Sequence, residues 1–208
     1  MNTPSTASRL PTETRRAEIV AAAIDLAARR SPASITTTDL AQALGLTQGA
    51  LFKHFPSKDA VWLAVAEWTA DTLLPLLEQA QAAEASPTRG LRAVFLAHVR
   101  FIAAHPGVPR IVFHELQREE DSPARARVRL MLQAYRRLLD GLVVRAIDEG
   151  EATPGVDREA MAMLFIGAVQ GLVMQSLVAG KPASRGGPAE RVIDTLLQAL
   201  QRPGARPS

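Results

Sequence analysis

A helical spacing of apolar residues, interrupted at intervals by proline and glycine, runs through almost the whole chain. Ala, Leu, Arg, Glu and Gln dominate these segments, and runs of β-branched residues are rare. Strict alternation of apolar and polar residues, which indicates a half-buried strand, does not extend over a useful length. The pattern therefore makes a sheet a poor interpretation and predicts an all-α protein of about nine helices.

Capping residues and helix breakers set the predicted helix boundaries. Ser86 with Pro87, and Ser122 with Pro123, each combine an N-terminal cap with a proline in the first turn. Pro75 is expected to kink the helix that contains it. The predicted helices cover residues 12–30, 37–44, 47–54, 58–83, 87–105, 108–119, 123–149, 157–179 and 189–201.

The chain has 208 residues, enough to bury a core, and its character changes near residue 58. Helices before that point are short, whereas those after it are long and strongly apolar. We therefore predict an N-terminal domain at residues 12–57 and a larger domain at residues 58–201. The polar ends, residues 1–11 and 202–208, are predicted to be a disordered arm and a disordered tail.

Composition removes several classes of function. The absence of cysteine excludes disulfides, thiolate catalysis and iron–sulfur clusters. The N-terminal residues lack the apolar segment of a signal peptide, and the apolar run near residues 160–174, about fifteen residues long, is too short to span a bilayer. We therefore expect a cytoplasmic protein without a membrane partner. The net charge of +3 permits a nucleic-acid partner but does not require one. A codon bias towards arginine explains the positive charge equally well.

Residues 36–58, TTTDLAQALGLTQGALFKHFPSK, have the spacing of two short helices joined by a tight turn. Gly45 stands where the turn needs a residue that tolerates a positive φ angle. Ala41 is small where the two helices must approach each other closely. This spacing is typical of a helix-turn-helix. The apolar residues expected to hold the pair against the first helix are Leu40, Leu44, Leu46, Leu51 and Phe55.

The second helix of the pair begins with small and polar residues, which suits insertion into the major groove of DNA. Gln48 can form a bidentate pair with adenine, and Lys53 can reach a guanine or a phosphate. Gly49 and Ala50 leave room for close approach and for a thymine methyl group. The small first turn therefore predicts a recognition helix.

Phosphate contacts are predicted beside this helix, at His54 and Lys58. A lysine near a helix start is disfavoured by the helix dipole, which favours an anionic partner for Lys58. Each residue also has an ordinary interpretation: Lys58 as a surface lysine, His54 as an exposed bystander, and Phe52 as a core residue.

Together these motifs resemble the DNA-binding domain of TetR-family transcriptional repressors over residues 12–72. The similar segments are RR-x-x-I-x-x-A-A at residues 15–23, then T-x-x-D-L-A, A-L-G-L-T, G-A-L-F-x-H-F and S-K-D. The resemblance implies a three-helix DNA-binding domain followed by a larger helical domain for ligand binding and dimerisation. It assigns DNA-contact positions to Thr37, Thr38, Thr47, Gln48, Gly49, Ala50, Phe52, Lys53, His54 and Lys58.

Two positions depart from the family pattern. The family usually has tyrosine where this chain has Phe52, so a hydroxyl group that can bond a phosphate is missing. The loop after the first helix, residues 31–34, lacks the glycine that the family often has there. Both departures concern the details of DNA contact rather than the fold.

A dimer is expected, because one helix-turn-helix buries too little surface and two copies about 34–36 Å apart match a helical repeat of DNA. Helix 157–179 is apolar nearly all round, and its two glycines permit close approach of another helix. With helix 189–201 it can form a four-helix bundle across a two-fold axis. Burial within its own subunit is the alternative, and the resemblance favours the dimer. The predicted interface residues are Gly167, Gly171, Met174, Val178, Val192 and Leu196.

The resemblance also implies that the helices between residues 58 and 149 enclose a pocket for a small molecule. The candidate lining is largely apolar or aromatic with a few polar groups, which suits a hydrophobic effector. Ordinary core packing is the alternative for each residue. The candidates are Phe95, His98, Phe101, Phe113, His114, Met131, Tyr135, Phe165 and Gln170.

Motifs for catalysis, cofactors and metals are absent from the sequence. It contains no phosphate-binding loop, no dinucleotide-binding glycine motif, no nucleophile elbow and no zinc-protease motif. His98 and His105 are two turns apart, about 10 Å along a helix axis, too far for one metal ion. We therefore predict no enzymatic activity, no cofactor and no metal site.

The sequence-based hypothesis is a ligand-responsive transcriptional repressor. It binds a palindromic double-stranded DNA operator as a homodimer and is released by a hydrophobic small-molecule effector. A transcriptional activator of the same architecture is one alternative. An all-helical enzyme or a small-molecule-sequestering binding protein would share the apolar middle, and binding to duplex DNA distinguishes them.

Overall fold

The computed structural model describes residues 12–179 and 187–201, which form nine α-helices and no strand. The all-α prediction is therefore confirmed, whereas the predicted arm at residues 1–11 and tail at residues 202–208 lie outside the described residues. The helices are α1 (Thr12–Arg29), α2 (Thr37–Ala43), α3 (Gln48–Phe52), α4 (Lys58–Ala82), α5 (Pro87–Ala104), α6 (Gly107–Gln117), α7 (Pro123–Asp148), α8 (Arg158–Ala179) and α9 (Pro188–Gln201).

Side-chain caps explain why the helices begin where they do. The hydroxyl oxygens of Thr36, Ser86 and Ser122 accept backbone N–H groups at 3.1, 3.3 and 3.0 Å, as their positions before a helix predicted. Thr47 and Ser57 cap α3 and α4 in the same way, at 3.2 and 3.1 Å. All predicted helices are confirmed, and α4 continues through Pro75 to Ala82.

Helices α1, α2 and α3 form the N-terminal unit around a small apolar core. Ile19 of α1, Leu40 of α2 and Leu51 of α3 are fully buried, and Phe55 closes the core after α3. Gly45 ends α2 with a φ angle of +64°, the left-handed conformation that the turn was predicted to need. The helix-turn-helix geometry is therefore present.

The remaining helices form a bundle in which α4 packs against α5 and α7. Trp62 and Leu77 of α4 are fully buried, as are Phe95 of α5 and Tyr135 of α7. Helix α8 lies against α5 and α7, and α9 lies against α5 and α8. Because α8 and α9 are on the outside, they keep one long side uncovered in the described chain.

The N-terminal unit is joined to the bundle through α6 as well as through α4. An ideal Cβ atom built at Gly107 would lie 1.9 Å from the Ile24 carbonyl oxygen and 2.9 Å from the Ala28 nitrogen, so only glycine fits where α6 begins on α1. Arg110 donates to the Ala27 carbonyl oxygen at 3.3 Å near the end of α1. Helix α6 is thus fixed to the N-terminal unit by close contact with the backbone of α1.

Two of the described helices, α4 and the segment Arg158–Ser176 of α8, are long and apolar enough to cross a membrane by length and composition alone. Half of that stretch of α4 is buried inside the protein, and one third of the stretch in α8. The length of α8 therefore does not exclude a membrane span. The expectation that the apolar run near residues 160–174 is too short to cross a bilayer was wrong on this point. Its assignment as a bundle helix rests on its packing against α5, α7 and α9.

Candidate DNA-binding surface and central cavity

The first turn of α3 exposes small and polar residues, and the opposite face of the helix is apolar. Leu51 is fully buried and anchors α3 on the unit's core, while Gln48, Gly49 and Lys53 are exposed. Phe52 is 42% exposed, which excludes its interpretation as a core residue. A Cβ atom at Gly49 would have no neighbour within 4 Å, so nothing within the described chain requires glycine there.

Helix α2 contributes the other part of this surface through its first turn. Gln48 Nε2 donates to Thr37 Oγ1 at 2.8 Å, so two of the predicted DNA-contact residues touch each other. Thr38 and the cap residue Thr47 are also exposed here, and Ala50 is half-buried. This hydrogen bond orients the Gln48 side chain towards the first turn of α2.

An electrostatic clamp holds the start of α2. Thr36 and Asp39 form a capping box, and Arg30 donates to both Asp39 oxygens, at 2.9 and 3.3 Å. The Arg30 guanidinium and the Thr36 donors hold the pKa of the Asp39 carboxyl well below its usual range. The clamp ties the end of α1 to the turn that carries Thr37 and Thr38.

The backbone of His54 is hydrogen-bonded by an arginine to which the sequence analysis assigned no role. Arg16 donates to the His54 carbonyl oxygen at 2.6 Å, and its guanidinium lies 4.2 Å from the centroid of the Phe55 ring. The His54 side chain is half-buried, and its Nδ1 atom has no hydrogen-bond partner among the described residues. The RR pair at the start of α1 was a visible signal, but its partner is 38 residues away.

Lys58 is engaged within the protein. Its Nζ atom donates to the Ala33 carbonyl oxygen at 3.1 Å and lies 5.8 Å from the centroid of the Trp62 ring. Partial burial lowers the pKa of Lys58 below its usual value. A phosphate contact by Lys58 would therefore compete with the bond to the loop that follows α1, whereas Lys53 is exposed.

A polar cluster lies behind Lys58, where α4, α6 and α7 meet. Arg118 of α6's C-terminal end donates to Asp59 at 2.8 Å. The carboxylate of Glu115 is fully buried and accepts from Ser122 Oγ at 2.7 Å. These contacts connect the end of α6 to the start of α4, immediately after the N-terminal unit, and to the start of α7.

A cavity of about 70 Å³ lies between α4, α5, α6, α7 and α8, with the exposed Gln170 at its edge. Its lining is apolar apart from Thr69, His98, Tyr135 and Gln170, and none of the lining residues is an acid, a lysine or an arginine. The lining residues are Thr69, Leu73, His98, Phe101, Ile102, Val108, Pro109, Val112, Phe113, Met131, Leu132, Tyr135, Ile166, Val169, Gln170 and Val173.

A hydrogen-bonded pair is the main polar feature of this cavity. His98 Nδ1 and the Tyr135 hydroxyl oxygen are 3.1 Å apart, and the two rings meet edge to face. Burial lowers the pKa of His98 to about 4 and raises the pKa of Tyr135 above its usual value. Both side chains are therefore neutral at pH 7.

Six of the nine predicted pocket residues line this cavity, and Phe95, Phe165 and His114 do not. Phe95 and Phe165 contact each other edge to face, with centroids 5.2 Å apart, and both are fully buried in the core beside Tyr135. Helical spacing could not separate the helix faces that line the cavity from those that pack in the core, because both are apolar. The lining residues of α4, Thr69 and Leu73, were missed for the same reason.

Of the histidines outside the cavity lining, His105 packs against two aromatic rings. His105 lies 5.0 Å from the ring centroids of both Trp68 and Phe101. Within residues 12–179 and 187–201, no three His, Asp or Glu side chains come together as a possible metal site.

A second uncovered surface runs along α8 and α9, and its residues are large and apolar. Leu164 is 56% exposed and Val178 is 77% exposed, and Met163 and Met174 belong to the same face. The predicted interface glycines of α8 are exposed, and a Cβ atom there would have no neighbour within 4 Å. The groove between the two helices is lined by Met163, Leu164, Gly167, Ala168, Pro188, Arg191, Val192, Thr195 and Leu196.

Two family profiles match this chain. Residues 19–65 match the bacterial regulatory proteins of the tetR family, and residues 114–193 match the tetracyclin repressor-like C-terminal domain. Among curated relatives, the nucleoid occlusion factor SlmA of Photobacterium profundum is 30% identical over 159 residues, which cover 76% of this chain and 81% of the relative. The SlmA protein of Vibrio cholerae is 28% identical over the same lengths.

Solved structures with a similar fold cover nearly the whole chain. The TetR-family regulator PfmR of Thermus thermophilus has a TM-score of 0.77 at 21% identity and covers 94% of this chain and 100% of its own. The ketosteroid regulator KstR2 of Mycobacterium tuberculosis has a TM-score of 0.74 at 21% identity, with 91% and 96% covered. FadR of Bacillus subtilis, in complex with stearoyl-CoA, has a TM-score of 0.73 at 17% identity, with 88% and 96% covered.

Proposed function

Because the chain belongs to the TetR family of bacterial regulatory proteins, we propose that it is a ligand-responsive transcriptional repressor that binds a palindromic operator as a homodimer. As a member of this family it is a DNA-binding transcriptional regulator and not an enzyme. The observation that carries the DNA-binding part of the proposal is the uncovered polar face of α3 beside the first turn of α2. Regulators of this family are soluble and intracellular, so we expect a cytoplasmic location.

The proposed contacts divide into those that read bases and those that fix the position on DNA. Gln48 reads adenine with its amide, and Gly49 lets the helix start approach the base edges. Thr37 keeps the Gln48 side chain aimed before binding, which reduces the side-chain entropy lost in the complex. His54 and Lys58 serve as phosphate contacts on either side. The other proposed contacts are Thr38, Thr47, Ala50, Phe52 and Lys53.

The proposed dimer uses the apolar face of α8 and α9. Large exposed apolar side chains in one contiguous region are typical of a protein interface. The two glycines of α8 let a second helix approach closely, and Val192 and Leu196 extend the surface onto α9. Two copies joined there would present two α3 helices to successive major grooves.

Helix α6 offers a route from the cavity to the DNA-binding domain. Val108 and Val112 line the cavity, while Gly107 and Arg110 of the same helix contact α1. A ligand that shifts α6 therefore shifts α1 and the helix-turn-helix with it. Discrimination of a few kcal/mol between the two states is sufficient to change the population of the DNA-binding form.

Fluorescence anisotropy with duplex DNA from the region upstream of the protein's own gene tests this proposal. We expect saturable binding at about 0.15 M salt that an unrelated duplex of equal length does not match. Absence of binding even at low salt would contradict the proposal and favour a small-molecule-sequestering protein. In a deletion strain, a rise in the neighbouring transcripts supports repression, whereas a fall indicates an activator.

Nucleoid occlusion is a second candidate function, favoured by the similarity to SlmA proteins over 159 residues. It predicts that loss of the protein places division septa across the nucleoid while neighbouring transcripts stay unchanged. Microscopy and transcript measurements on one deletion strain therefore separate the two candidates.

A further inference from the structure

We propose that the central cavity binds a compact, uncharged molecule whose apolar body carries one hydrogen-bonding oxygen, held by the His98–Tyr135 pair. The proposal rests on the proposed function only in taking this molecule as the effector. It names the chemical class of the ligand, which the family membership leaves open.

The lining of the cavity argues against a charged ligand. Five helices contribute to it, and none of the sixteen lining residues is an acid, a lysine or an arginine. A carboxylate or an ammonium group placed there would lose its hydration without gaining a counter-ion, which is strongly unfavourable. An uncharged ligand loses much less hydration.

The His98–Tyr135 pair complements a single oxygen in either of its arrangements. If the tyrosine hydroxyl donates to Nδ1, the imidazole keeps an Nε2–H donor and the phenol oxygen keeps an acceptor site. If Nδ1–H donates to the phenol oxygen, the hydroxyl becomes the free donor and Nε2 the free acceptor. The pair therefore offers one donor and one acceptor, which suits a ketone or an alcohol.

The other polar residues of the lining do not add a second interior anchor. The Thr69 hydroxyl donates to the Val65 carbonyl oxygen at 2.8 Å, so its donor is committed to its own helix. Gln170 is exposed and lies at the solvent side of the cavity. One interior polar pair in an apolar lining indicates a ligand with one polar group.

The size of the cavity indicates a small ligand and an accompanying shift of α6. Its 70 Å³ is about half of the roughly 150 Å³ that suffices for benzene in an engineered cavity. A six-membered ring therefore needs the lining to move. The residues Val108, Val112 and Phe113 of α6 form one wall, so expansion acts on the helix that touches α1.

The test uses five ring compounds of similar size and the full-length protein at pH 7.5. Cyclohexanone and cyclohexanol are the neutral oxygen compounds, methylcyclohexane lacks the oxygen, and cyclohexanecarboxylate and cyclohexylammonium carry charges. Affinity is measured by calorimetry and by the tryptophan fluorescence, to which Trp68 contributes from its place against the lining residue Phe101. We expect the neutral oxygen compounds to bind at least tenfold more tightly than either charged one.

Variants test whether the His98–Tyr135 pair causes the preference for the neutral oxygen compounds. Tyr135→Phe removes the hydroxyl and keeps the ring, and is expected to reduce the preference for cyclohexanone over methylcyclohexane by about fivefold to tenfold. His98→Gln is expected to have a similar effect, whereas His114→Gln, outside the cavity lining, leaves the preference unchanged. Circular dichroism confirms that each variant is folded.

Three results would overturn the ligand class: equal or tighter binding of a charged compound, an unchanged preference in folded Tyr135→Phe, or no binding of either neutral oxygen compound at millimolar concentration. The duplex-binding assay separates this from the proposed function. Neutral compounds that bind without changing DNA affinity would contradict the effector role and leave the ligand class standing. If the protein binds DNA but none of the neutral oxygen compounds, the proposed function stands and the proposed ligand class is wrong.

Discussion

Helices α3 and α8 each leave one face uncovered in the described part of the chain, and the two faces have opposite chemistry. The face of α3 presents the amide of Gln48 and the backbone of Gly49, followed by the ammonium group of Lys53, and the Phe52 ring is the one large apolar group exposed beside them in the described chain. The face of α8 presents Leu164, Met174 and Val178, which water solvates poorly. An exposed polar face is stable in water and suits a partner that binds transiently. An exposed apolar face is unfavourable in water and suits a constitutive interface.

The two helices also differ in how they are supported. Helix α3 has five residues, too short to be stable alone, and depends on its cap and on buried Leu51. Helix α8 has 22 residues and packs against three other helices. A short helix held by its neighbours presents side chains rigidly, which suits recognition, and a long one supplies area, which suits assembly.

The largest expected effect comes from placing a charge on the apolar face of α8. Leu164→Glu is expected to dissociate the proposed dimer, because an unpaired carboxylate in the proposed interface would cost at least about 3 kcal/mol. Leu130→Glu is the matched control on α7, since Leu130 is 57% exposed and Leu164 56%. Sedimentation velocity gives the outcome, and an intact Leu164→Glu dimer would place the interface elsewhere.

Acid is expected to act on the bundle that carries α8 through His98. Burial lowers the pKa of His98 from 6.5 to about 4 in the folded protein, so the unfolded chain binds the proton first and stability falls as pH is lowered from about 6.5 towards 4. The loss reaches about 3 kcal/mol. Denaturant melts from pH 7 to pH 4 measure it, and His98→Leu is expected to flatten the dependence. An equally steep dependence in His98→Leu would assign the effect to other groups.

The contact between α6 and α1 joins the N-terminal unit, which carries α3, to the bundle, which carries α8. Gly107→Ala forces a methyl group onto the backbone of α1 and is expected to cost about 2–3 kcal/mol of unfolding free energy. Gly141→Ala, in open space on α7, is expected to gain about 0.5–1 kcal/mol. Denaturant melts compare them, and equal stability of the two variants would show that α6 does not press on α1.

Removal of the amide on α3 tests base reading. Gln48→Ala is expected to cost about 1–3 kcal/mol of binding free energy at particular base pairs only. Gln42→Ala, an exposed glutamine on α2, is the control and leaves affinity unchanged. Affinities for a set of single-base operator variants supply the measurement, and a uniform loss at every variant would refute base reading by Gln48.

The smallest expected effect concerns the lysines beside α3. Loss of one phosphate contact lowers the salt slope of DNA binding by about 0.9, so Lys58→Ala and Lys53→Ala are each expected to flatten it by about one unit. Lys58 must first leave the Ala33 carbonyl oxygen. An unchanged slope for Lys58→Ala would assign this lysine to the loop after α1 alone.

Local chemistry made much of the fold predictable. Ser and Thr caps, prolines in first turns and Gly45 act within a few residues, and the helix boundaries inferred from them agree with the structure. The helix-turn-helix residues form one block of sequence, so their shared surface was predictable too. Contacts between distant residues were not: Arg16 with His54, and Gly107 with Ile24, leave no periodic signal. The cavity was only partly predictable, because helices that are apolar on several faces do not reveal which face lines it.

The composition of the DNA complex in solution tests the central claim, that the polar face of α3 binds DNA while the apolar face of α8 binds a second copy. Sedimentation equilibrium of the wild-type protein is measured alone and with one duplex from its own promoter. We predict a dimer in both samples, with at least one complete dimer on the duplex. A monomer in solution that binds DNA as a single chain, or a dimer that ignores the duplex at low salt, would contradict the account.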